Sequence, residues 1–94
     1  MTVNVHIPAP LRALAGGESE VRVEAETVSG LVDELQARYQ GFRERLLDDG
    51  GRLKSYVRVF VNHDDVRALE GEATRLRDGD VVAIVPAIAG GARA

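Results

Sequence analysis

The stretch DGDVVAIVP (78–86) decides the fold of this chain. Asp78-Gly79-Asp80 is a tight-turn signal, because Asp and Gly tolerate the backbone angles that turns require. The next five residues, VVAIV (81–85), form a nearly continuous β-branched run. Such a run is typical of a strand with neighbours on both sides and apolar groups on both faces. Pro86 has no N–H to donate to a neighbouring strand and is expected to end this one.

Three further strands are predicted from alternation of apolar and polar residues. VNVHI (3–7) and ESEVRVEA (18–25) are close in sequence and are expected to pair antiparallel. YVRVFVN (56–62) alternates in the same way, so its valines face inward while Arg58, Phe60 and Asn62 face outward. HDD (63–65) is interpreted as a turn, and the VRAL that comes after it as a short strand.

One long helix is predicted over TVSGLVDELQARYQG (27–41), with Thr27 as its N-cap and Gly41 as its stop. Its apolar residues recur at the helical spacing of three and four. FRERLL (42–47) is expected to add one or two turns. One main helix against one mixed sheet is a two-layer α+β arrangement. A β-grasp fold, with the first and last strands side by side at the centre, fits this order better than a ferredoxin-like fold, which needs two full helices.

Composition narrows the class of protein. The chain has 94 residues, 45% of them hydrophobic, which suits a single domain with one modest core. A net charge of −3 with interspersed charges argues against a nucleic-acid binder. No apolar run approaches membrane-spanning length, and the N-terminus lacks signal-peptide features, so a cytoplasmic location is expected. Without cysteine, the chain offers neither a disulfide nor a thiol nucleophile.

A family resemblance emerges from the element order, from GDVVAIVPAIAGG (79–91) and from VNHDDVR (61–67). Together they resemble the ubiquitin-like sulfur carriers of the MoaD/ThiS family over nearly the whole chain. VNHDDVR is most similar to the branch that supplies sulfur for cysteine synthesis. The resemblance implies a β-grasp domain at 1–86 and a flexible C-terminal tail at 87–94. That tail holds the Gly-Gly pair and a three-residue extension, Ala92-Arg93-Ala94.

The resemblance also implies a chemistry for the tail. Members act through a C-terminal glycine carboxylate, which here would be Gly91 after a JAB-type metalloprotease removes the extension. A ubiquitin-activating-type adenylyltransferase/sulfurtransferase would adenylate this carboxylate with ATP and convert it to a thiocarboxylate. A sulfur-accepting synthase, cysteine synthase-like or other, would then take the sulfur. Gly90 and Gly91 would enter these active sites because they carry no Cβ. The chain itself would be a carrier that binds no cofactor or metal, and not an enzyme.

A docking surface on the folded body is expected, because ordering a flexible tail costs roughly 1–2 kcal/mol per residue. The outward face of the sheet is the best candidate, since Phe60 projects there by alternation. An alternative places Phe60 under a loop. His6, His63 and the HDD run are interpreted as solvated polar residues rather than as ligands. The partner-binding residues predicted on this basis are Arg58, Phe60, Val85, Pro86, Ile88 and Ala89.

Other functions remain compatible with the sequence. Gly90-Gly91 could be only a frayed terminus. The chain could instead be a ubiquitin-like modifier joined through Gly91 to lysines of target proteins. It could also be the small subunit of molybdopterin synthase, or an unreactive β-grasp adaptor.

Overall fold

The computed structural model describes residues 1–86, which form five strands, two α-helices and three short 3₁₀ helices. The strands are β1 Thr2–His6, β2 Glu20–Glu24, β3 Val57–Val61, β4 Asp64–Asp65 and β5 Val81–Pro86. The α-helices are α1 Val28–Arg38 and α2 Phe42–Leu46. The 3₁₀ helices are Ala9–Ala15, Val66–Ala68 and Gly71–Ala73. None of the helices in this described part of the chain is long and apolar enough to cross a membrane.

The sheet has the strand order β2-β1-β5-β3-β4. β1 and β5 pair in parallel, whereas β2 pairs antiparallel with β1, and β3 pairs antiparallel with both β5 and β4. The first and last of these strands are therefore neighbours at the centre. Val82 is fully buried there, with Val5 opposite it on one side and Val61 on the other. The predicted β-grasp arrangement is confirmed.

The prediction of apolar cover on both faces of β5 is wrong for the described residues. Val82 and Ile84 are buried against the helices, while Val81 is 37% exposed and Val85 is 43% exposed. The reason is that the helical layer lies on one side of the sheet only. Pro86 also belongs to the strand, as the partner of Val57, and does not lie beyond its end. A proline can occupy this terminal position because it lacks only the N–H donor of the backbone, and its carbonyl group is still present as an acceptor.

The helical layer begins at the predicted cap. Thr27 is extended, and its Oγ1 accepts a hydrogen bond from the N–H of Gly30 over 3.0 Å. The apolar stripe of α1 is buried against the sheet, at Val28, Leu31, Val32 and Leu35. Gly41 does not end α1 as predicted. With a φ of 104° it turns the chain after α1 and begins α2.

Two stretches depart from their sequence predictions. Residues 9–15, interpreted as a connector, form a 3₁₀ helix that buries Leu11 and Ala15. The expected strand at VRAL is also wrong, because pairing stops at Asp65 and the chain turns into the 3₁₀ helix Val66–Ala68. This turn leaves Leu69 46% exposed, although an apolar side chain of this size is expected in the core.

Candidate functional site: the open face of the sheet

The side of the sheet opposite the helices is open in the described part of the chain. We call it the outer face; its central residues are Asn4, His6, Arg58, Phe60, Val81, Ala83 and Val85. The strand register sets these side chains beside one another. Ala83 lies between His6 on β1 and Phe60 on β3, and Val85 lies opposite Arg58. An apolar centre with polar neighbours is typical of a protein-binding surface.

A depression of about 470 Å³ lies at one end of this face. Ala83 lies between two larger side chains, so its single methyl group forms a natural low point. The depression is lined by His6, Phe60, Asn62, His63, Val81 and Ala83. We call it the Ala83 socket.

One wall of the socket is the turn between β3 and β4. Its two central residues, Asn62 and His63, have positive φ angles of 51° and 84°. The side chain of Asn62 holds this turn against the start of β5. Its Nδ2 donates to Oδ1 of Asp80 over 2.8 Å, and its Oδ1 accepts from the N–H of Val81 over 2.9 Å. The turn is therefore fixed relative to the strand that leads to the tail.

Charges of both signs surround the outer face. Nη1 of Arg58 lies 3.5 Å from Oδ2 of Asp65, and Nε2 of His6 lies 3.9 Å from Oε2 of Glu20. These side chains are largely or partly exposed, so the pairs contribute little to stability. They keep the rim polar without giving it a strong net charge. Within residues 1–86, no three His, Cys, Asp or Glu side chains are close enough together to hold a metal ion.

The structure brings some predicted partner-binding residues together and separates others. Arg58, Phe60 and Val85 share the outer face, and Phe60 lines an open depression rather than lying beneath a loop. Pro86 alternates to the opposite side of β5. There it lines a small cavity of about 150 Å³ with Leu11, Leu46, Tyr56 and other residues.

The remaining predicted site residues lie outside the described residues; these are Ile88, Ala89, Gly90 and Gly91, and with them the whole predicted tail at 87–94. Sequence reasoning missed the role of Asn62 and the conformation of His63. The available signal was Asn62 between two stretches of strand, because Asn favours the first position of a two-residue hairpin turn.

The position of β5 determines where the C-terminal segment of the chain begins. Its pairing with β1 ends at Ala83, after which it continues to Pro86 beside β3 alone. Residues 87–91 therefore follow directly in sequence from the last described residue of the central strand, Pro86.

Comparison with known proteins identifies the family. The ThiS family model matches residues 5–91. The sulfur carrier protein CysO of Mycobacterium tuberculosis is 43% identical over 93 residues, which cover 97% of this chain and all of the relative. The small archaeal modifier protein 3 of Haloferax volcanii is 38% identical over 93 residues, which again cover 97% of this chain and all of the relative.

A solved structure also resembles this chain in both fold and sequence. A chain in the crystal structure of the Amycolatopsis orientalis BexX/CysO complex has a TM-score of 0.89 and 38% identity. The match covers 95% of this chain and 99% of that chain. The relatives are small carriers and modifiers rather than catalysts. The chain therefore belongs to the ThiS family and is a ubiquitin-like sulfur carrier of the MoaD/ThiS type.

Proposed function

We propose that this protein carries sulfur as a thiocarboxylate on the main-chain carbonyl of Gly91. A metalloprotease of the JAB type first hydrolyses the Gly91–Ala92 peptide bond and removes Ala92-Arg93-Ala94. A ubiquitin-activating-type enzyme then activates the new carboxylate. The folded body presents the tail and performs no chemistry itself.

Activation of the Gly91 carboxylate precedes the transfer of sulfur. A Gly91 carboxylate oxygen attacks the α-phosphorus of ATP, pyrophosphate leaves, and an acyl-adenylate forms. Hydrosulfide, supplied by the sulfur donor of the activating enzyme, adds to the carbonyl carbon, and AMP leaves with the bonding electron pair. The proton of the hydrosulfide is released, and the product is a thiocarboxylate. Its sulfur adds to the electrophilic carbon of an activated double bond held by the acceptor enzyme, and the electron pair of that double bond takes up a proton at the adjacent carbon. Water then hydrolyses the acyl–sulfur bond, which returns the Gly91 carboxylate and releases the sulfur in the product.

The observation that carries this proposal is the continuity between the central strand and the diglycine. β5 ends its described course at Pro86, and Gly90-Gly91 lie within the next five residues. The exposed apolar side chains of Val81 and Val85 lie on the same strand. A partner can therefore bind a rigid surface and receive the tail from it. The rigid surface offsets the roughly 1–2 kcal/mol per residue that ordering the tail costs.

We further propose that the sulfur acceptor is a cysteine synthase-like enzyme. The support is the VNHDDVR segment (61–67), which builds the turn beside the Ala83 socket, together with the similarity to CysO. Acceptor choice is tested by supplying the thiocarboxylated carrier to candidate synthases. Cysteine formation would support this assignment, and formation of a different sulfur product would replace it.

The central experiment is intact-protein mass spectrometry. The protein ending at Gly91 is incubated with the activating enzyme, ATP and a sulfur donor. Its mass should rise by the difference between one sulfur and one oxygen atom. The matched control is the full 94-residue chain, whose carboxylate lies on Ala94 and should not react. An unchanged mass for the Gly91-ended protein, with an activating enzyme that thiolates another carrier, would refute the proposal.

A second candidate function is protein modification through Gly91. The similarity to the archaeal modifier supports it, because the same acyl-adenylate can be captured by a lysine amine. Lys54 is the single lysine among twelve basic residues, so any chain built on lysine would have to use it. Immunoblots of cell extracts test this function. Adducts of higher mass that disappear when Gly91 is deleted would support it, whereas a single band at the monomer mass would contradict it.

A further inference from the structure

The small cavity of about 150 Å³ lies on the helical side of the sheet, beside Pro86. Its floor belongs to the hydrophobic core, because the lining residues Leu11, Leu46 and Val57 are buried. Apolar space of this volume can hold a benzene-sized group, and filling it removes apolar surface from water. The cavity therefore suits one branched aliphatic side chain. We call it the Pro86 cavity.

The rim of the Pro86 cavity is largely apolar as well. It includes Pro10, Pro86 and the ring of Tyr56, which is exposed although it adjoins core residues. The Nζ atom of Lys54 lies 5.9 Å from the centre of this ring, a distance at which cation–π attraction helps to hold the ring in place. Arg45 supplies the only charge among the described residues that line the cavity. A polar occupant would therefore find few partners there.

The chain itself supplies an aliphatic side chain close to this cavity. Ile88 is the single large apolar residue in the sequence of 87–94, AIAGGARA. It comes two residues after Pro86, about 7 Å along an extended chain. Side chains alternate along a strand, and Val82, Ile84 and Pro86 lie on the helical side of β5. A chain that stays extended beyond Pro86 would therefore direct Ile88 toward the cavity.

We propose that the side chain of Ile88 occupies the Pro86 cavity in the free carrier and anchors the C-terminal segment to the folded body. The anchor leaves residues 89–94 free before the extension is removed and residues 89–91 free afterwards. Three extended residues span about 10 Å. The consequence for the carrier rests on the proposed function: a partner enzyme receives Gly91 from a fixed point of origin and has fewer residues to order on binding.

Methyl NMR of the free 94-residue chain tests the anchor directly. The chain has three isoleucines, so labelling their δ1 methyl groups gives three signals, from Ile7, Ile84 and Ile88. Ile7 and Ile84 are buried and serve as internal standards for a methyl group in the core. The Ile88 methyl group should show nuclear Overhauser contacts to the Tyr56 ring and to Leu11. A random-coil chemical shift without such contacts would overturn the inference.

Two truncated chains separate Ile88 from the rest of the segment. The chain ending at Ala89 keeps the anchor and should melt at the temperature of the full chain. The chain ending at Ala87 should melt about 4–8 °C lower, because it loses the apolar burial that Ile88 provides. Equal Tm values for the two truncated chains would overturn the inference.

Substitutions in the full chain leave the terminal carboxylate in place. Ile88→Ser should lower Tm by a similar amount, because a hydroxyl group replaces the apolar side chain in the cavity. Its matched control is Ala87→Ser, which introduces the same hydroxyl group one residue earlier, on the other side of an extended chain, and should leave Tm unchanged. Equal losses in the two variants would contradict the anchor.

A double variant locates Ile88 at the rim. Tyr56→Ala removes part of the cavity wall, so its combination with Ile88→Ser should lower Tm by less than the sum of the two single losses. Additive losses would place Ile88 elsewhere and overturn the inference. Sedimentation as a dimer that Ile88→Ser converts to a monomer would assign the cavity to Ile88 of a second copy, and so would overturn an anchor within one chain.

These measurements involve no sulfur chemistry, so they distinguish the anchor from the proposed function. An Ile88 methyl group in contact with Tyr56, in a carrier whose Gly91 carboxylate is never thiolated, would support the anchor and refute the proposed function. Thiolation of a carrier whose Ile88 methyl group makes no such contact would refute the anchor alone.

Discussion

Asn62 donates a hydrogen bond from Nδ2 to Oδ1 of Asp80 over 2.8 Å, and so joins the turn after β3 to the turn before β5. Its Oδ1 also accepts from the N–H of Val81 over 2.9 Å. The same side chain thus bonds to two consecutive residues at the entry to the central strand. This arrangement fixes one wall of the socket relative to its floor.

Replacing Asn62 should therefore destabilise the fold. Asn62→Ala loses both hydrogen bonds, at about 1 kcal/mol each, and places a Cβ-bearing residue without a compensating side chain at positive φ, at about 1 kcal/mol more. We expect a loss of about 2–3 kcal/mol in urea denaturation. Asn62→Gly is the matched control, because it loses the bonds but accepts the φ, and it should lose less. Equal stability of Asn62→Ala and wild type would show that the bonds carry no net stability.

Alanine substitutions of the two phenylalanines should have different effects, one mainly on stability and the other mainly on binding. Phe42 is completely buried beside Tyr39, with ring centroids 6.1 Å apart, whereas Phe60 is half-buried on the outer face. Phe42→Ala should lower the free energy of unfolding by about 3–5 kcal/mol. Phe60→Ala should cost about 1 kcal/mol or less and weaken binding to the adenylating enzyme about tenfold. Denaturation and calorimetry on both proteins check this. A Phe60→Ala variant that binds normally would remove Phe60 from the docking surface.

The N-cap of α1 supplies a third prediction. Thr27 accepts a hydrogen bond from the N–H of Gly30, which otherwise lacks a partner within the helix. Thr27→Ala should lower the free energy of unfolding by about 1 kcal/mol. Thr27→Ser keeps the hydroxyl and should remain within a few tenths of a kcal/mol of wild type. If both variants lose the same stability, the hydroxyl is not the source of the effect.

Acid should weaken a contact at the edge of the sheet. Oγ1 of Thr2 donates to Glu24 over 2.7 Å, and the N-terminal ammonium of Met1 lies 3.6 Å from the same carboxylate. The hydrogen bond, and then the ammonium charge, lower the pKa of Glu24 below its ordinary value. Because the folded pKa is the lower one, this stabilisation is present above about pH 4.3 and is lost as pH falls through the folded pKa.

Removal of the Glu24 charge should therefore change how Tm depends on pH in the acidic range. Glu24→Gln should reduce the decline of Tm below about pH 4.3, and the effect should be small because this carboxylate is exposed. Glu34→Gln on α1 is matched in charge and exposure and should remain closer to the wild-type curve. Identical acid curves for Glu24→Gln and wild type would contradict the prediction.

Local patterns predicted most of the fold. Alternation placed Val57, Val59 and Val61 inward, and helical spacing identified α1, because each pattern reflects one buried side. The open side of β5 could not be predicted in this way. A continuous run such as VVAIV (81–85) does not reveal which of its faces a second layer will cover. The 3₁₀ helix Ala9–Ala15 was missed because Pro8 and Pro10 suggest a break in structure, although proline also suits the first turn of a helix.

Only part of the candidate site could be predicted from the sequence, as three of its residues illustrate. Alternation correctly placed Phe60 on the outer face. The same rule, counted from Val82, places Pro86 on the inner side of β5, away from the outer face on which the docking surface is predicted. The conformation of His63 was missed because HDD (63–65) was interpreted as the turn, whereas the turn is formed by Asn62 and His63 and Asp64 already pairs with Val61.

Placing β5 between β1 and β3 has a consequence for synthesis on the ribosome. A nascent chain that stops before residue 81 leaves two long strand edges unpaired around an empty position. Such a chain is exposed to chaperones and proteases. The diglycine is made after β5, so a ribosome that has reached it has already supplied every strand of the sheet. A chain that ends before residue 81 therefore lacks both the strand that joins the two halves of the described sheet and the diglycine, which follows that strand in the sequence.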